Sequence, residues 1–264
     1  MKILFIGDIT TRSGRDAVIA NLAKVKADHD IDFTIANGEN AAHGKGITSK
    51  IYNSLINSGI DCITLGNHAF SKSEIMEDMD KYDRLIRPVN IGIHEDIGQG
   101  YRTFDVNGYR ICVINIMGSV FMNDVNQSPF EAMSHLLYQE KIRQKEKADF
   151  IFVDLHAEAT SEKILFANYF KNELIAVVGT HTHVQTADER IIGNLAYISD
   201  VGMCGPYDSI IGRDIDEMVE NLIYGNPTRF TPAEGESIFQ AVVIEIDESL
   251  RKATNIERIQ IRPY

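Results

Sequence analysis

Residues 175–183 read Ile175-Ala176-Val177-Val178-Gly179-Thr180-His181-Thr182-His183, an apolar run that stops abruptly at a histidine-x-histidine pair. A short apolar run cut off by glycine and polar residues reads as a buried strand. The same reading fits 2–7, 32–36, 61–65, 111–116, 150–155, 195–199 and 238–246. Between many of these lie polar stretches with helical periodicity, at 14–29, 49–58, 71–81, 129–146 and 161–171. Strands alternating with helices predict an α/β fold. The last third departs from this, because 238–246 and 253–261 are strand-like runs joined by a short polar turn, as in an antiparallel hairpin. The sheets are therefore expected to be mixed, with helices on both faces. No Pro/Gly/Ser-rich linker or long repeat divides the chain, so residues 1–264 are expected to form one domain.

The polar residues at the end of each run are more informative than the run itself. Asp8 ends the first; Asn37-Gly38-Glu39-Asn40 ends the second; Gly66-Asn67-His68 ends the third. His156 comes after 150–155, and His181 and His183 come after 175–179. Ligands of open α/β sheets bind outside the carboxyl ends of the strands, so residues spread over about 175 positions of sequence can meet at one place. The set holds carboxylates, amides and imidazoles and no thiolate, which suits Mn, Fe or Zn at a reactive centre better than a closed structural zinc. Eight candidates exceed one tetrahedral ion. Two metals bridged by a carboxylate and a hydroxide would use nearly all of them, an arrangement that clamps the attacking and leaving oxygens of a phosphoryl displacement. Singly, Asp8 also reads as a turn or helix cap, Gly66-Asn67-His68 as a turn, and His156 as a satisfied core histidine; their joint placement at strand ends favours the metal reading. His29, His94 and His135 have no neighbouring ligand candidates and read as surface residues. His43 lies in Ala41-Ala42-His43-Gly44-Lys45-Gly46, a glycine-flanked loop whose cation could reach a phosphate.

The chain has 264 residues, 44% of them apolar and 24% charged, ordinary values for a globular protein. Its net charge of −12 argues against a sequence-independent grip on duplex nucleic acid or an anionic membrane. No stretch is long and apolar enough for a membrane span, and Met1–Asp8 reads as a buried strand rather than a leader. Three scattered cysteines, Cys62, Cys112 and Cys204, fit a reducing compartment, so a cytoplasmic location is expected.

The order Asp8, acidic-amide pair, Gly66-Asn67-His68, lone His156 and Gly179-x-His181-x-His183 resembles the calcineurin-like metallophosphoesterase superfamily. Longer strings, Phe5-Ile6-Gly7-Asp8-Ile9, Ile35–Ala42, Asp154–Lys163, Gly179–Arg190 and Asp200-Val201-Gly202-Met203, look like its YmdB-type bacterial phosphodiesterase family. The resemblance covers essentially the whole chain. It implies an α/β/β/α sandwich and a phosphodiesterase with two divalent or mixed-valence metal ions, iron or manganese before zinc or magnesium. Its substrates would be small phosphodiesters such as 2′,3′- and 3′,5′-cyclic AMP; a homo-oligomer is compatible with it. Carried over by position, Asp8, Glu39, Asn40 and His183 would hold the first metal, and Glu39, Asn67, His156 and His181 the second. Glu39 would bridge. His68 would stay off the metals as the general acid, facing the oxygen that leaves when a metal-bridging hydroxide attacks. That role requires a raised His68 pKa, with Asp8 or the substrate phosphate as the expected cause.

The sequence departs from the family pattern at Thr10, where many superfamily members have histidine and Asn40 is expected to compensate, and at Ala69-Phe70-Ser71, Ser119 and Cys204. Phe70, Ser119 and Cys204 are expected in loops that line the pocket and tune specificity. Loop 200–212 is expected either to offer backbone N–H groups to the site or to be a structural turn cluster. The helix that opens near Ala159 could offer a phosphate-binding N-terminus; the favoured expectation is an ordinary cap at Thr160 or Ser161, with Glu162 or Lys163 solvated. Two other functions fit parts of the pattern. A binuclear amidohydrolase also uses an H-x-H pair, though on its first strand, and a regulatory protein could keep the metal site to bind a nucleotide or RNA with slow hydrolysis.

Overall fold

The computed structural model describes residues 1–138 and 148–264. Two sheets face each other. The first has the order β2 (Asp8–Ile9), β12 (Met203–Pro206), β13 (Ser237–Asp247), β1 (Lys2–Ile6), β3 (Phe33–Asn37), β4 (Cys62–Thr64) and β5 (Leu85–Ile86), with β14 (Lys252–Ile261) also paired to β13. The second has the order β10 (Arg190–Ile192), β11 (Leu195–Ile198), β9 (Ala176–Thr180), β8 (Phe150–His156), β7 (Tyr109–Met117) and β6 (Tyr101–Val106). In the first sheet β1, β3, β4 and β5 are parallel; in the second, β7, β8, β9 and β11 are. Antiparallel strands flank both blocks: β13 against β1 and β14, β6 against β7, and β10 against β11. The expected mixed sheets and C-terminal hairpin are both present.

Side chains alternate faces along a strand, and this explains why the strands read as unbroken apolar runs. In β1, Ile3 and Phe5 enter the core between the sheets, where the Phe5 and Phe152 rings stack at 5.8 Å. Leu4 and Ile6 enter the opposite core, beneath Val18, Leu22 and Val25 of α1 (Thr11–His29), Leu55 of α2 (Ser49–Asn57) and Ile75 of α3 (Ser73–Asp78). On the far side, Ile114, Ile151 and Val153 pack with Met133 of α4 (Pro129–Tyr138) and Phe166 of α5 (Thr160–Tyr169). The layers are helix, sheet, sheet, helix. Of the predicted helix 129–146, Pro129–Tyr138 forms α4, and the part of the prediction from residue 139 on lies outside the described residues.

Several elements escaped the sequence reading. β2, β5, β10 and β12 are two to four residues long, too short for a periodicity to register. α6 (Ile215–Leu222) buries none of its residues and is set by Asp214, whose side chain accepts from Glu217 N at 2.9 Å. The start of α5 differs from expectation. Its N-cap is Ala159, without a side-chain cap, while Glu162 and Lys163 are buried. The reason is the position of α5: its first turn packs back over the strand ends. There Glu162 accepts from Ser119 N and Oγ, at 3.0 and 2.8 Å, and Lys163 Nζ donates to Thr180 O at 2.8 Å and Asp200 Oδ2 at 3.1 Å. No helix of the described residues is long and apolar enough to cross a membrane.

Candidate metal centre

The strand ends of both sheets converge. Glu39, His156 and His181 each offer a ligand atom within 4.8 Å of the others. Glu39 Oε1 lies 3.2 Å from His156 Nε2, which is 3.0 Å from Asn67 Oδ1 and 3.1 Å from His181 Nδ1. Beside this group, Asn40 Nδ2 contacts Glu39 Oε1 at 2.9 Å and His183 Nε2 at 3.0 Å, and Asp8 Oδ1 is 3.8 Å from His183 Nε2. All seven residues expected as ligands are thus adjacent. His68 is there too, its backbone N–H donating to Glu39 Oε2 at 3.2 Å.

Each imidazole is tied on its outer side. Thr180 Oγ1 donates to Asp154 Oδ1 at 2.7 Å, so at 2.9 Å it must accept from His156 Nδ1. His181 Nε2 faces Glu158 Oε2 at 3.1 Å, and His183 Nδ1 donates to Ile211 O at 3.0 Å. These partners place a proton outward in all three rings and turn the other nitrogen inward, the orientation that hydrogen-bond acceptors behind the ring give to metal-binding histidines. His183 Nε2 meets the Asn40 amide N–H, but His156 Nε2 and His181 Nδ1 face each other beside Asn67 Oδ1 and Glu39 Oε1, and buried Asp8 Oδ1 accepts no hydrogen bond. A divalent cation satisfies such a set; protons alone do so poorly. Gly66 makes room for it, because a Cβ there would collide with Glu39 Oε2 and His156 Nε2.

The charges reflect the crowding. Burial pushes Asp8 up to about 7 against the pull of His183 and His156. Burial alone would raise Glu39 as well, yet His156, His68 and His181 hold it below the usual carboxylate range. Burial disfavours the charge on His156, but Glu39, with Asp8 and Asp154, together lift it to about 9, whereas burial and then His156 push His181 down to about 3. His68 does not follow the expected direction. Burial lowers its pKa, and the opposing pull comes chiefly from Glu39 rather than Asp8.

A supporting frame, missed in the sequence, holds these residues. Asp154 is fully buried at the heart of it, accepting from Asn37 Nδ2 (3.0 Å), Thr64 Oγ1 (2.5 Å) and Thr180 Oγ1. The H-x-H turn carries backbone strain, with φ of 101° at His181 and 65° at His183, which non-glycine residues adopt at a cost of about 1–3 kcal/mol each. Asp8 Oδ2 accepts from His181 N at 3.2 Å, and Asp200 Oδ2 from Thr182 N and Oγ1 at 3.0 and 2.8 Å. Asp200 is in turn paired with buried Lys163. A sequence signal did exist: Asp154 and Asp200 are acidic residues at the ends of apolar runs.

Three pocket expectations are corrected. Cys204 lies in β12, fully buried against Gln240 O at 3.4 Å, and burial pushes its thiol up to about 12. Ser119 is occupied by Glu162, and Phe70 packs edge-on against His94 at 5.2 Å. Loop 200–212 does border the site, but it contributes the Ile211 carbonyl rather than N–H groups. His29 is half-buried, while His43, His94 and His135 are exposed. A cavity of about 350 Å³ opens at the donor residues, lined by Glu39, Asn40, His68, Glu158, His181 and His183. Gly44, Lys45, Ile211, Arg213 and Phe230 line it as well.

Comparison with known proteins agrees over the full length. A sequence model of the YmdB-like protein family matches residues 4–259. A 2′,3′-cyclic-nucleotide 2′-phosphodiesterase of Bacillus subtilis is 47% identical over 262 residues, 99% of this chain and 97% of that protein. Among solved structures, a phosphatase of Mycoplasma pneumoniae superposes with a TM-score of 0.92 at 34% identity, covering 99% of this chain and 93% of its own. A hypothetical protein of Thermus thermophilus superposes with a TM-score of 0.89 at 35% identity, over 99% of both chains. The chain belongs to the YmdB-like protein family.

Proposed function

We propose that this protein is a metal-dependent phosphodiesterase of the cytoplasm, one domain over residues 1–264, acting on cyclic mononucleotides. The observation that carries this reading is the inward-facing set, three imidazoles whose outer nitrogens are each tied to an acceptor, facing Asp8, Glu39 and Asn67. Asp8, Glu39, Asn40 and His183 would hold one ion and Glu39, Asn67, His156 and His181 a second, with Glu39 shared; iron or manganese suits the donors. When bound, such ions supply charge neutralisation at the phosphate and a water acidic enough to attack at neutral pH.

The rest falls to the chain. The donor residues would hold the ions that attract the phosphate end of the substrate, and Lys45 on the cavity wall adds a positive charge for the anion. Asn67 Oδ1 faces His156, so its amide Nδ2, 3.2 Å from His68 Nδ1 and 3.5 Å from Nε2, donates to that ring. As the P–O bond to the ribose oxygen breaks, His68 gives its proton to that oxygen. The anionic phosphodiester acts on His68 in the same direction as Glu39, favouring the imidazolium that donation requires.

The test is hydrolysis of 2′,3′- and 3′,5′-cyclic AMP by chelator-treated protein before and after Mn²⁺ is restored. Turnover of either ester that appears only with metal supports the reading. Tight nucleotide binding with negligible turnover overturns it in favour of a regulatory protein.

A further inference from the structure

Two residues of the cavity wall, Arg213 and Phe230, are not used by the phosphate chemistry. Phe230 belongs to none of the hydrophobic cores, yet its neighbours fix its ring at the cavity. The Arg213 guanidinium lies 5.6 Å from the ring centroid, a cation–π contact. Arg213 is itself held by both oxygens of Glu217, at 3.1 and 2.6 Å, and Glu217 also accepts from Thr228 Oγ1. With its charge matched, Arg213 offers the cavity a flat surface rather than an anion site. On the opposite loop, Gly44 receives the ring edge: a Cβ there would collide with Phe230 Cζ, and the φ of +80° at Gly44 also favours glycine. Gly44 is four residues beyond Asn40, so the ring is referenced to the same loop that carries donors.

We propose that Phe230, braced by Arg213 and seated on Gly44, is the platform on which the base of a nucleotide substrate stacks while its phosphate sits at the Glu39–His156–His181 cluster. The inference rests on the phosphodiesterase reading and adds to it the part of the substrate that gives specificity. A cavity of about 350 Å³ exceeds what a phosphate needs and falls in the range of small-ligand sites. Stacking on an aromatic face tolerates every base, so the platform selects nucleotides over base-less esters rather than one base over another.

The experiment compares kcat/KM for 2′,3′-cyclic AMP with that for methyl riboside 2,3-cyclic phosphate, the same ester without the base. Measurements use metal-loaded wild type, Phe230→Ala and Phe230→Tyr. The wild type is expected to prefer the nucleotide, Phe230→Ala to shrink that preference roughly 5- to 100-fold, chiefly through KM, and Phe230→Tyr to retain it. Equal kcat/KM for both esters in the wild type, or an unchanged preference in Phe230→Ala, overturns the platform and leaves the phosphodiesterase reading standing. Wild type that hydrolyses neither ester overturns that reading and the platform with it.

Discussion

The strands of the first sheet that reach the site end in oxygen donors, Asp8, Glu39, Asn40 and Asn67, whereas those of the second end in nitrogen donors, His156, His181 and His183. On the oxygen side Asp8, Glu39 and Asn40 are 0%, 1% and 4% exposed and Asn67 is half-buried. On the nitrogen side only His156 is fully buried, and His181 and His183 are half-buried. The contacts that assemble the centre run between the two sets, Glu39 and Asn67 to His156, Asn40 to His183, and Asp8 to the His181 backbone. Neither sheet holds a site of its own. The core between the sheets, with Phe5 stacked on Phe152, sets the spacing of the donors.

That division can be attacked one residue at a time. Glu39 touches more of the set than any other carboxylate here, and Glu39→Ala is expected to reduce turnover to background and empty the centre, read by steady-state assay and elemental analysis. His68 stands outside the donor set, so His68→Ala is expected to cost roughly 10²- to 10⁴-fold in kcat with metal content unchanged. A simultaneous loss of metal would make His68 a ligand rather than an acid.

Lys163→Met probes the frame under the nitrogen side. It leaves Asp200 buried and unpaired, and a denaturant titration is expected to show about 3–5 kcal/mol of lost stability. Thr180→Val removes the acceptor that orients His156. A metal affinity about 10- to 100-fold weaker, with the fold retained by circular dichroism, is the expected result. An unchanged affinity would show that Glu39 and Asn67 alone suffice to orient that ring.

The layers, and the polar residues that converge at the strand ends, are legible in the sequence because both depend on local pattern. An apolar run buried on two faces is unbroken, and a ligand at its carboxyl end is visible as the first polar residue. Lys163 and Glu162 were misread because helical periodicity places a charged residue toward solvent unless a partner elsewhere in the chain neutralises it. Those partners, Asp200 and Ser119, lie some forty positions away in opposite directions. Cys204 was misplaced for a similar reason: β12 is four residues long and owes its existence to pairing with β2 and β13 rather than to its own residues. The Phe230 wall depends on a contact between residues 44 and 230, which no local pattern announces.

The most direct test of the two-sheet centre is the number of metal ions per chain after reconstitution with Mn²⁺, for the wild type beside Glu39→Ala. About two equivalents in the wild type, and a fall in both when Glu39 is removed, is the predicted result. One equivalent or none in folded wild-type protein, or two retained without Glu39, contradicts the account.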